Sequence, residues 1–166
     1  DGTKIEANAN RYTWIWKKSC TKNRDKVFKK ISMLIEAMNQ NVLSYFGVKL
    51  QKREEYAIDY VCELLEIYKK ETALKESSFV SGCGHRKSIQ QKQYQELHRY
   101  LERLKTYAHH IEICGDERNS YSKTDHDATF MRLKRDYMGN DQLLPAYNLQ
   151  TAVCDEYIAA VDVKHY

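Results

Sequence analysis

Apolar and polar positions alternate with a period of two at the start of the chain. Thr3, Ile5 and Ala7 share one side of an extended segment, and the residues between them share the other side. Between positions 12 and 17, aromatic side chains alternate with Thr, Ile and Lys in the same way. Strict alternation, rich in aromatic and β-branched residues, predicts strands over residues 1 to about 18.

The period then changes to the three-and-four spacing of an amphipathic helix. The first predicted helix runs from about Asp25 to Tyr45, and Gly47 follows it at a position suited to a helix C-terminus. Its apolar stripe comprises Phe28, Ile31, Ile35, Met38, Val42 and Tyr45. A stripe of this width is expected to face a hydrophobic core.

Two further helices follow in the pattern. The second extends from about Lys52 to Glu76, and the Ser- and Gly-rich segment Ser77 to Gly84 breaks it. Ser88 is suited to cap the third helix. The stripes are Ala57, Val61, Leu64 and Tyr68 in the second helix, and Tyr94, Leu97, Leu101, Leu104, Ala108 and Ile111 in the third. Because each helix is apolar on one face, a small antiparallel bundle or coiled-coil arm is predicted.

Extended segments return toward the C-terminus. Asp127 is suited to cap a short helical turn from Ala128 to Lys134. Residues 147–153 and 157–163 read as two strands, and the turn near Cys154-Asp155-Glu156 joins them into a β-hairpin. The predicted fold class is therefore α+β. It has a first strand region at 1–20, a helical insertion at 21–116, and a loop, short helix and hairpin at 117–166.

Composition narrows the class of protein. With 166 residues and 42% hydrophobic content, the chain has the size and composition of one packed domain. No run of about 20 apolar residues indicates a membrane span, and no segment resembles a signal peptide. Five cysteines are scattered without a Cys-x-x-Cys pair, which favours reduced thiols over disulfides. We therefore expect a soluble, cytoplasmic protein with no membrane partner.

A zinc site is an alternative use for some of the cysteines. Cys83 and His85 form one close pair, and His110 and Cys114 form another. Four such ligands suit a structural zinc, provided that the two segments meet. The spacings of the two pairs differ, and His110 and Cys114 lie in an otherwise ordinary helical pattern, so a structural role for these residues is favoured.

Positive charge is unevenly distributed. The formal net charge is only +4, yet seven basic residues between positions 17 and 30 accompany the single acid Asp25. They are Lys17, Lys18, Lys22, Arg24, Lys26, Lys29 and Lys30. Smaller clusters comprise Arg86, Lys87 and Lys92, and Arg132, Lys134 and Arg135. Such clusters neutralise phosphates of nucleic acids, but they are equally typical of a solvated helix face, and both interpretations stay open.

Three motifs point to a known family. They are residues 1–18, DGTKIEANANRYTWIWKK, residues 118–131, RNSYSKTDHDATFM, and Tyr147-Asn148-Leu149-Gln150. In this order they closely resemble the catalytic domain of bacterial insertion-sequence transposases of the DDE type, and the likeness covers nearly the whole chain. Ala146 stands where the family often has Gly, which is a mild departure.

The resemblance implies an incomplete ribonuclease-H-like fold, with the helical segment inserted between the first and second strands of the core. In that family three acids on different elements hold two divalent cations, usually Mg²⁺ or alternatively Mn²⁺, for phosphodiester cleavage and strand transfer. Asp1 matches the first acid by its place in the first strand, so it is the expected catalytic residue and metal ligand. The other two acids are implied on elements beyond Tyr166, and the 166 residues alone are expected to be inactive.

Asp125 and Asp127 are the alternative acids within the second motif. A structural role is favoured for both, with Asp127 capping a turn and Asp125 hydrogen-bonding the preceding loop. Glu6 is expected to point to the opposite sheet face from Asp1. Asp1 is thus the only acid assigned to catalysis.

The resemblance also implies partners. The parent enzyme is expected to act as a homo-oligomer on double-stranded DNA at paired transposon ends. Residues expected to contact the DNA phosphates are Lys17, Lys18, Lys22, Arg24, Arg86 and Lys87. The alternative function is a non-catalytic nucleic-acid-binding or coiled-coil interaction module, which the helical stripes and basic clusters support directly.

Overall fold

The computed structural model describes residues 2–82, 84, 86–133, 139 and 141–164. Residues 1, 83, 85, 134 and 135, which carry predictions made above, lie outside this part of the chain. The chain divides into two compact units, residues 1–21 with 109–166, and residues 22–108. Three helices and antiparallel sheets confirm the predicted α+β class.

The described residues form the following elements. The strands are β1 (Gly2–Glu6), β2 (Trp14–Trp16), β3 (Ser120–Ser122), β4 (Thr129–Arg132), β5 (Leu143–Cys154) and β6 (Tyr157–Lys164). The helices are α1 (Lys17–Asn41), α2 (Ile58–Glu71) and α3 (Ile89–Cys114), with 3-10 helices at Leu43–Phe46 and Glu76–Ser78. No helix in the described ranges combines the length and apolar composition that a membrane crossing requires.

Strand β5 is the centre of a four-stranded antiparallel sheet in the first unit. On one side it pairs with β1, from Gly2 opposite Gln150 to Glu6 opposite Ala146. On the other side it pairs first with β4 and then with β6, the second strand of the predicted hairpin. The first strand and the two strands of the predicted hairpin therefore share one sheet.

A second, two-stranded sheet of β2 and β3 completes the first unit. Trp14 lies opposite Ser122 and Trp16 lies opposite Ser120. The Trp14 ring packs on Phe130 of β4, with ring centroids 4.0 Å apart. This contact joins Trp14 of the first motif to Phe130 of the second motif, which helps to explain why those strands form although both are short.

The predicted helical turn from Ala128 to Lys134 is wrong, because Thr129–Arg132 forms strand β4. Thr129 pairs with Ala146 and Phe130 pairs with Pro145. A β-branched residue followed by an aromatic one suits a pleated, half-buried surface. Long-range pairing with β5 thus overrides the local capping signal of Asp127.

We call the second compact unit, residues 22–108, the helical unit. It is built around one hydrophobic core to which all three helices contribute, as their apolar stripes predicted. Buried residues of this core include Ile31, Ile35 and Met38 from α1, Val61, Leu64 and Tyr68 from α2, and Leu97, Leu101 and Leu104 from α3. The predicted cap of α3 is confirmed, since Ser88 Oγ accepts the Gln91 N–H at 3.1 Å. Gly47 has φ +68° and ends the 3-10 helix that follows α1.

The predicted bounds of α1 and α2 are wrong. Helix α1 begins at Lys17 instead of about Asp25, and the small apolar side chain of Cys20 is buried in its first turns. Helix α2 has 14 residues and runs from Ile58 to Glu71, instead of from about Lys52 to Glu76. The preceding loop is held in non-helical form because the Asn39 amide bonds both the N–H and the C=O of Leu50, each at 2.9 Å.

Candidate functional site

The first candidate site is the start of β1. Gly2, which follows Asp1 in the sequence, pairs with Gln150 of β5. The catalytic and metal-binding assignment of Asp1 itself lies outside the described residues. Within the described ranges, no group of three or more His, Cys, Asp or Glu side chains is placed to hold a metal ion. These residues alone therefore do not fit the two-ion site that the resemblance implies.

The second candidate site is the acidic loop between β3 and β4. Asp125 Oδ1 accepts the Asp127 N–H at 3.1 Å, and Asp125 Oδ2 accepts the hydroxyl of Tyr147. The Ala128 N–H donates to the Asp125 carbonyl at 3.3 Å. Both carboxylate oxygens of Asp125 thus serve bonds within the fold. The expected bond of Asp125 to the preceding loop is replaced by bonds to the following Asp127 N–H and to Tyr147. The expected helix-capping role of Asp127 is wrong because a strand follows it.

Tyr147 is held as a neutral hydrogen-bond donor. Desolvation, the hydrogen bond to Asp125 and the charges of Asp125 and Asp127 together raise the pKa of Tyr147 to about 12. A phenol of this kind keeps its proton at neutral pH, so the link from β5 to the loop is stable under ordinary conditions.

A cluster of His and Tyr side chains lies beside the same loop. His110 Nδ1 and the Tyr121 hydroxyl are 2.6 Å apart, and the His126 ring packs edge-on against Tyr121 with centroids 5.3 Å apart. Desolvation, followed by the charges of His109, Lys123 and His126, lowers the pKa of His110. A neutral His110 hydrogen-bonded to the buried Tyr121 is a structural group. The zinc alternative is untested, because Cys83 and His85 lie outside the described residues.

Arg118, in the second motif, hydrogen-bonds two backbone carbonyl groups. Its guanidinium donates to the carbonyl oxygens of Ile113 and His126, each at 2.5 Å. Arg118, Tyr121 and Asp125 therefore each hold one part of the β3–β4 loop. The most distinctive motif of the chain positions backbone, and we assign it no catalytic group.

Lys17 and Lys18 open α1 in the first unit. Lys17 Nζ donates to the Gly115 carbonyl at 2.5 Å and lies 3.8 Å from Asp116 Oδ1. Its ammonium group thus satisfies a carbonyl just beyond the C-terminus of α3, where cations are favoured. Lys18 is exposed. Lys17 and Lys18 are both predicted DNA contacts, and it is Lys17 that donates to the Gly115 carbonyl.

The helical unit carries a basic strip, which we define as Lys22, Lys26, Lys29 and Lys30. All four side chains are exposed, opposite the buried stripe of α1. Helix geometry places them within an arc of roughly 100°. Arg24 lies off this strip, on the same side of α1 as Phe28. Its guanidinium is 3.4 Å from Asp25 and 5.6 Å from the centroid of the Phe28 ring. The strip is suited to contact several phosphates on one side of a duplex.

Arg86 and Lys87 lie at the other end of the helical unit, directly before α3. Arg86 is exposed, and Lys87 Nζ donates to Gln95 Oε1 at 2.9 Å. Ser88 next to them lines a groove with Asn41, the last residue of α1. Arg24 precedes Asn41 by 17 helical residues, about 25 Å. The structure therefore does not bring Arg86 and Lys87 together with Lys22 and Arg24.

That groove is a feature the sequence pattern missed. It has a volume of about 340 Å³ and is lined by Asn41, Val42, Tyr45, Phe46, Ser88, Ile89 and Gln90. The placement of Tyr45 in the buried stripe is wrong, since Tyr45 is 85% exposed. The spacing carried no signal of this, because the exposure of Tyr45 follows from the end of α1 at Asn41 and the 3-10 turn after it.

Comparison of the chain with protein-family models, with curated proteins and with solved structures found no match. Family and function are therefore proposed from the motifs and from the geometry of the described residues.

Proposed function

We propose that the chain is part of a DNA transposase of the DDE type, in which β1, β5 and β6 form the first strands of a ribonuclease-H-like sheet. One observation carries the proposal. Strand β1 begins directly after Asp1 and pairs with β5 of the β5–β6 hairpin, while the helical unit lies between them in sequence. This order of strand, helical insertion and returning hairpin is the order that the family resemblance implies.

The proposed reaction is Mg²⁺-dependent cleavage and strand transfer of transposon DNA. Asp1 is the proposed catalytic residue and metal ligand of this chain. The described acids supply no substitute, because Asp125 is engaged by Tyr147 and by the Asp127 N–H. The remaining ligands of the two ions are proposed to lie outside these 166 residues, so the activity belongs to a longer polypeptide.

Double-stranded DNA is the proposed partner, and the basic strip supports it. Lysines that contact phosphates position a duplex without reading its sequence. The exposed strip of Lys22, Lys26, Lys29 and Lys30 contains no residue whose side chain is needed in the hydrophobic core. The grouping of four lysines on one helix face suits a role in holding DNA.

The direct test is a cleavage assay with the polypeptide from the uninterrupted reading frame that contains this chain. The substrate is a supercoiled plasmid carrying that frame with its flanking DNA, incubated with Mg²⁺ or Mn²⁺. We expect Asp1→Asn to abolish cleavage and strand transfer while the matched surface variant Asp116→Asn keeps both. Asp116 is fully exposed, so it controls for loss of a carboxylate elsewhere. Cleavage by the Asp1→Asn protein at the original rate would overturn the proposal.

The second candidate function is a non-catalytic nucleic-acid-binding module, which the basic strip favours on its own. Such a module should bind duplex DNA with an affinity whose logarithm falls steeply as the logarithm of the salt concentration rises. The encoded polypeptide should then show no metal-dependent cleavage. A coiled-coil interaction module instead predicts a nearly flat salt dependence. Measuring affinity at several salt concentrations beside the cleavage assay separates these alternatives from the transposase.

A further inference from the structure

We infer that the groove at the C-terminal end of α1 binds unpaired bases of single-stranded DNA. The residues that define this aromatic groove are Asn41, Val42, Tyr45, Phe46, Ser88, Ile89 and Gln90. The inference deepens the proposed function and rests on it only for the choice of DNA as the polymer. It assigns a separate site to single strands, at the opposite end of the helical unit from the N-terminal part of the basic strip.

The groove presents rings that the core does not use. Tyr45 is 85% exposed, Phe46 is 45% exposed and Ile89 is 60% exposed. The turn that carries the two rings is anchored from below by Val42 and Leu43, which are both buried. At its end the Gly47 N–H donates to the Leu43 carbonyl, with Gly47 in the left-handed region. An anchored turn with exposed rings is suited to serve as a stacking platform, because every base has a π face.

The groove also contains groups that can bond the edges of a stacked base. Asn41 and Gln90 each carry a side-chain amide, which is both donor and acceptor. The volume of about 340 Å³ lies in the range of roughly 300 to 1,000 Å³ that is usual for ligand sites. Rings together with amides suit a flat, polar-edged ligand better than an aliphatic one.

Charge complementarity selects a polyanion as the occupant. Residues 37–53 and 77–95, which supply most of the groove, contain no Asp or Glu. Their basic residues are Lys49, Lys52, Arg53, Arg86, Lys87 and Lys92. Lys52 pairs with Glu36 and Arg53 stacks on Tyr60, but Lys49 and Arg86 are exposed. A second copy of the chain would bring the same positive charge to this surface, so self-association through it is disfavoured.

Single strands are favoured over duplex because of the rings. The bases of a duplex are stacked on one another and do not offer a free face to a side chain. Unpaired bases do, and stacking of one base on an aromatic residue changes affinity by about five- to a hundredfold on alanine substitution. The aromatic groove should therefore discriminate by the presence of bases, whereas the basic strip should respond to phosphates alone.

The experiment compares two fluorescein-labelled oligonucleotides by anisotropy, using the whole 166-residue chain. One is oligo-thymidylate and the other is an abasic strand of the same length and charge. We expect wild-type protein to bind the strand with bases about tenfold or more tightly, and Tyr45→Ala with Phe46→Ala to remove most of that preference. The same double variant should bind the abasic strand and duplex DNA as the wild type does, and Tyr45→Phe should keep the preference.

Tyr12→Ala is the matched control, since Tyr12 is also a largely exposed tyrosine, at 75%. It should leave every affinity unchanged. Equal binding of both strands by wild-type protein would overturn the inference, even where duplex binding is intact. So would a Tyr45→Ala, Phe46→Ala protein that keeps its preference for bases but loses self-association in sedimentation, because the groove would then be a protein interface. Conversely, a base preference without Mg²⁺-dependent cleavage by the longer polypeptide would leave the inference standing and remove the transposase proposal.

Discussion

Tyr147 donates a hydrogen bond from its hydroxyl to Oδ2 of Asp125, 22 residues earlier in the chain. The bond ties the central strand β5 to the loop between β3 and β4. Since β5 also pairs with β1, the three motifs that carry the family resemblance meet in the first unit. Asp125 thus holds the loop between β3 and β4 to the central strand through its two carboxylate oxygens.

Replacing Asp125 by Ala should destabilise the first unit. The substitution removes the acceptor of the Asp127 N–H and leaves the Tyr147 hydroxyl without this partner, a loss of about 1–3 kcal/mol in the free energy of unfolding. Trp14 and Trp16 are the only tryptophans of the chain, so their fluorescence during urea unfolding reports this unit. Asp116→Ala is the control and should unfold like the wild type. An unchanged Asp125→Ala midpoint would contradict the structural role.

The basic strip should contribute phosphate contacts in proportion to its charges. Each lysine that neutralises one phosphate adds about 0.9 to the slope of log affinity against log salt, so Lys26→Gln with Lys29→Gln should lower the slope by about 1.8. Lys70→Gln with Lys75→Gln removes the same charge from other exposed positions and should not change the slope. Equal slopes for the two double variants would show that net charge, and not the strip, governs duplex binding.

Local signals predicted much of this fold. Ser88 caps α3 and Gly47 ends the turn after α1, because both act through bonds to their immediate neighbours. The hairpin was predictable because two extended segments, residues 147–153 and 157–163, flank a short turn. Each of these features depends on a few neighbouring residues, so it can be predicted from the sequence alone.

Features that depend on distant contacts were not predictable. Thr129–Arg132 became strand β4 only because β5 and Trp14 supply its partners. Tyr45 fits the helical spacing, but α1 ends at Asn41 and the 3-10 turn directs the ring to solvent. The candidate sites were likewise predictable only in part. The basic residues are visible as charge clusters, whereas their separation to two ends of the helical unit follows from packing.

Alkaline pH should weaken the helical unit through Tyr68. Its side chain is fully buried, its hydroxyl donates to Gln93 Oε1 at 2.7 Å, and desolvation raises its pKa to about 12. The unfolded-state pKa is about 10, so the stability that the neutral phenol contributes is complete below pH 10 and is lost as pH rises toward 12. Tyr68→Phe should therefore cost about 1–3 kcal/mol at pH 8, where Gln93 loses its partner. The gap to wild type should narrow between pH 10 and pH 12.

Urea unfolding followed by helical circular dichroism at pH 8 and at pH 11 measures this gap. Tyr45→Phe is the matched control, because its hydroxyl is on an exposed ring and its removal should shift neither value. A gap between Tyr68→Phe and wild type that stays constant or widens with pH would contradict the assignment of the alkaline sensitivity to Tyr68.

The cysteines should differ in their reactivity toward an aromatic disulfide reagent. Cys20 and Cys114 are buried, and burial raises the pKa of both thiols, with the neighbouring Cys114 adding to the effect on Cys20. Cys154 lies exposed at the end of β5. Because the thiolate is the reactive form, Cys154 should react at least about tenfold faster than the buried pair in folded protein at pH 8.

The measurement uses a Cys83→Ser background and follows release of the reagent's coloured thiolate, and Cys154→Ser should remove the fast phase alone. In urea all remaining thiols should react at one fast rate. A fast phase that survives Cys154→Ser and disappears in Cys20→Ser would show that the junction of α1 with the end of α3 opens in the native protein.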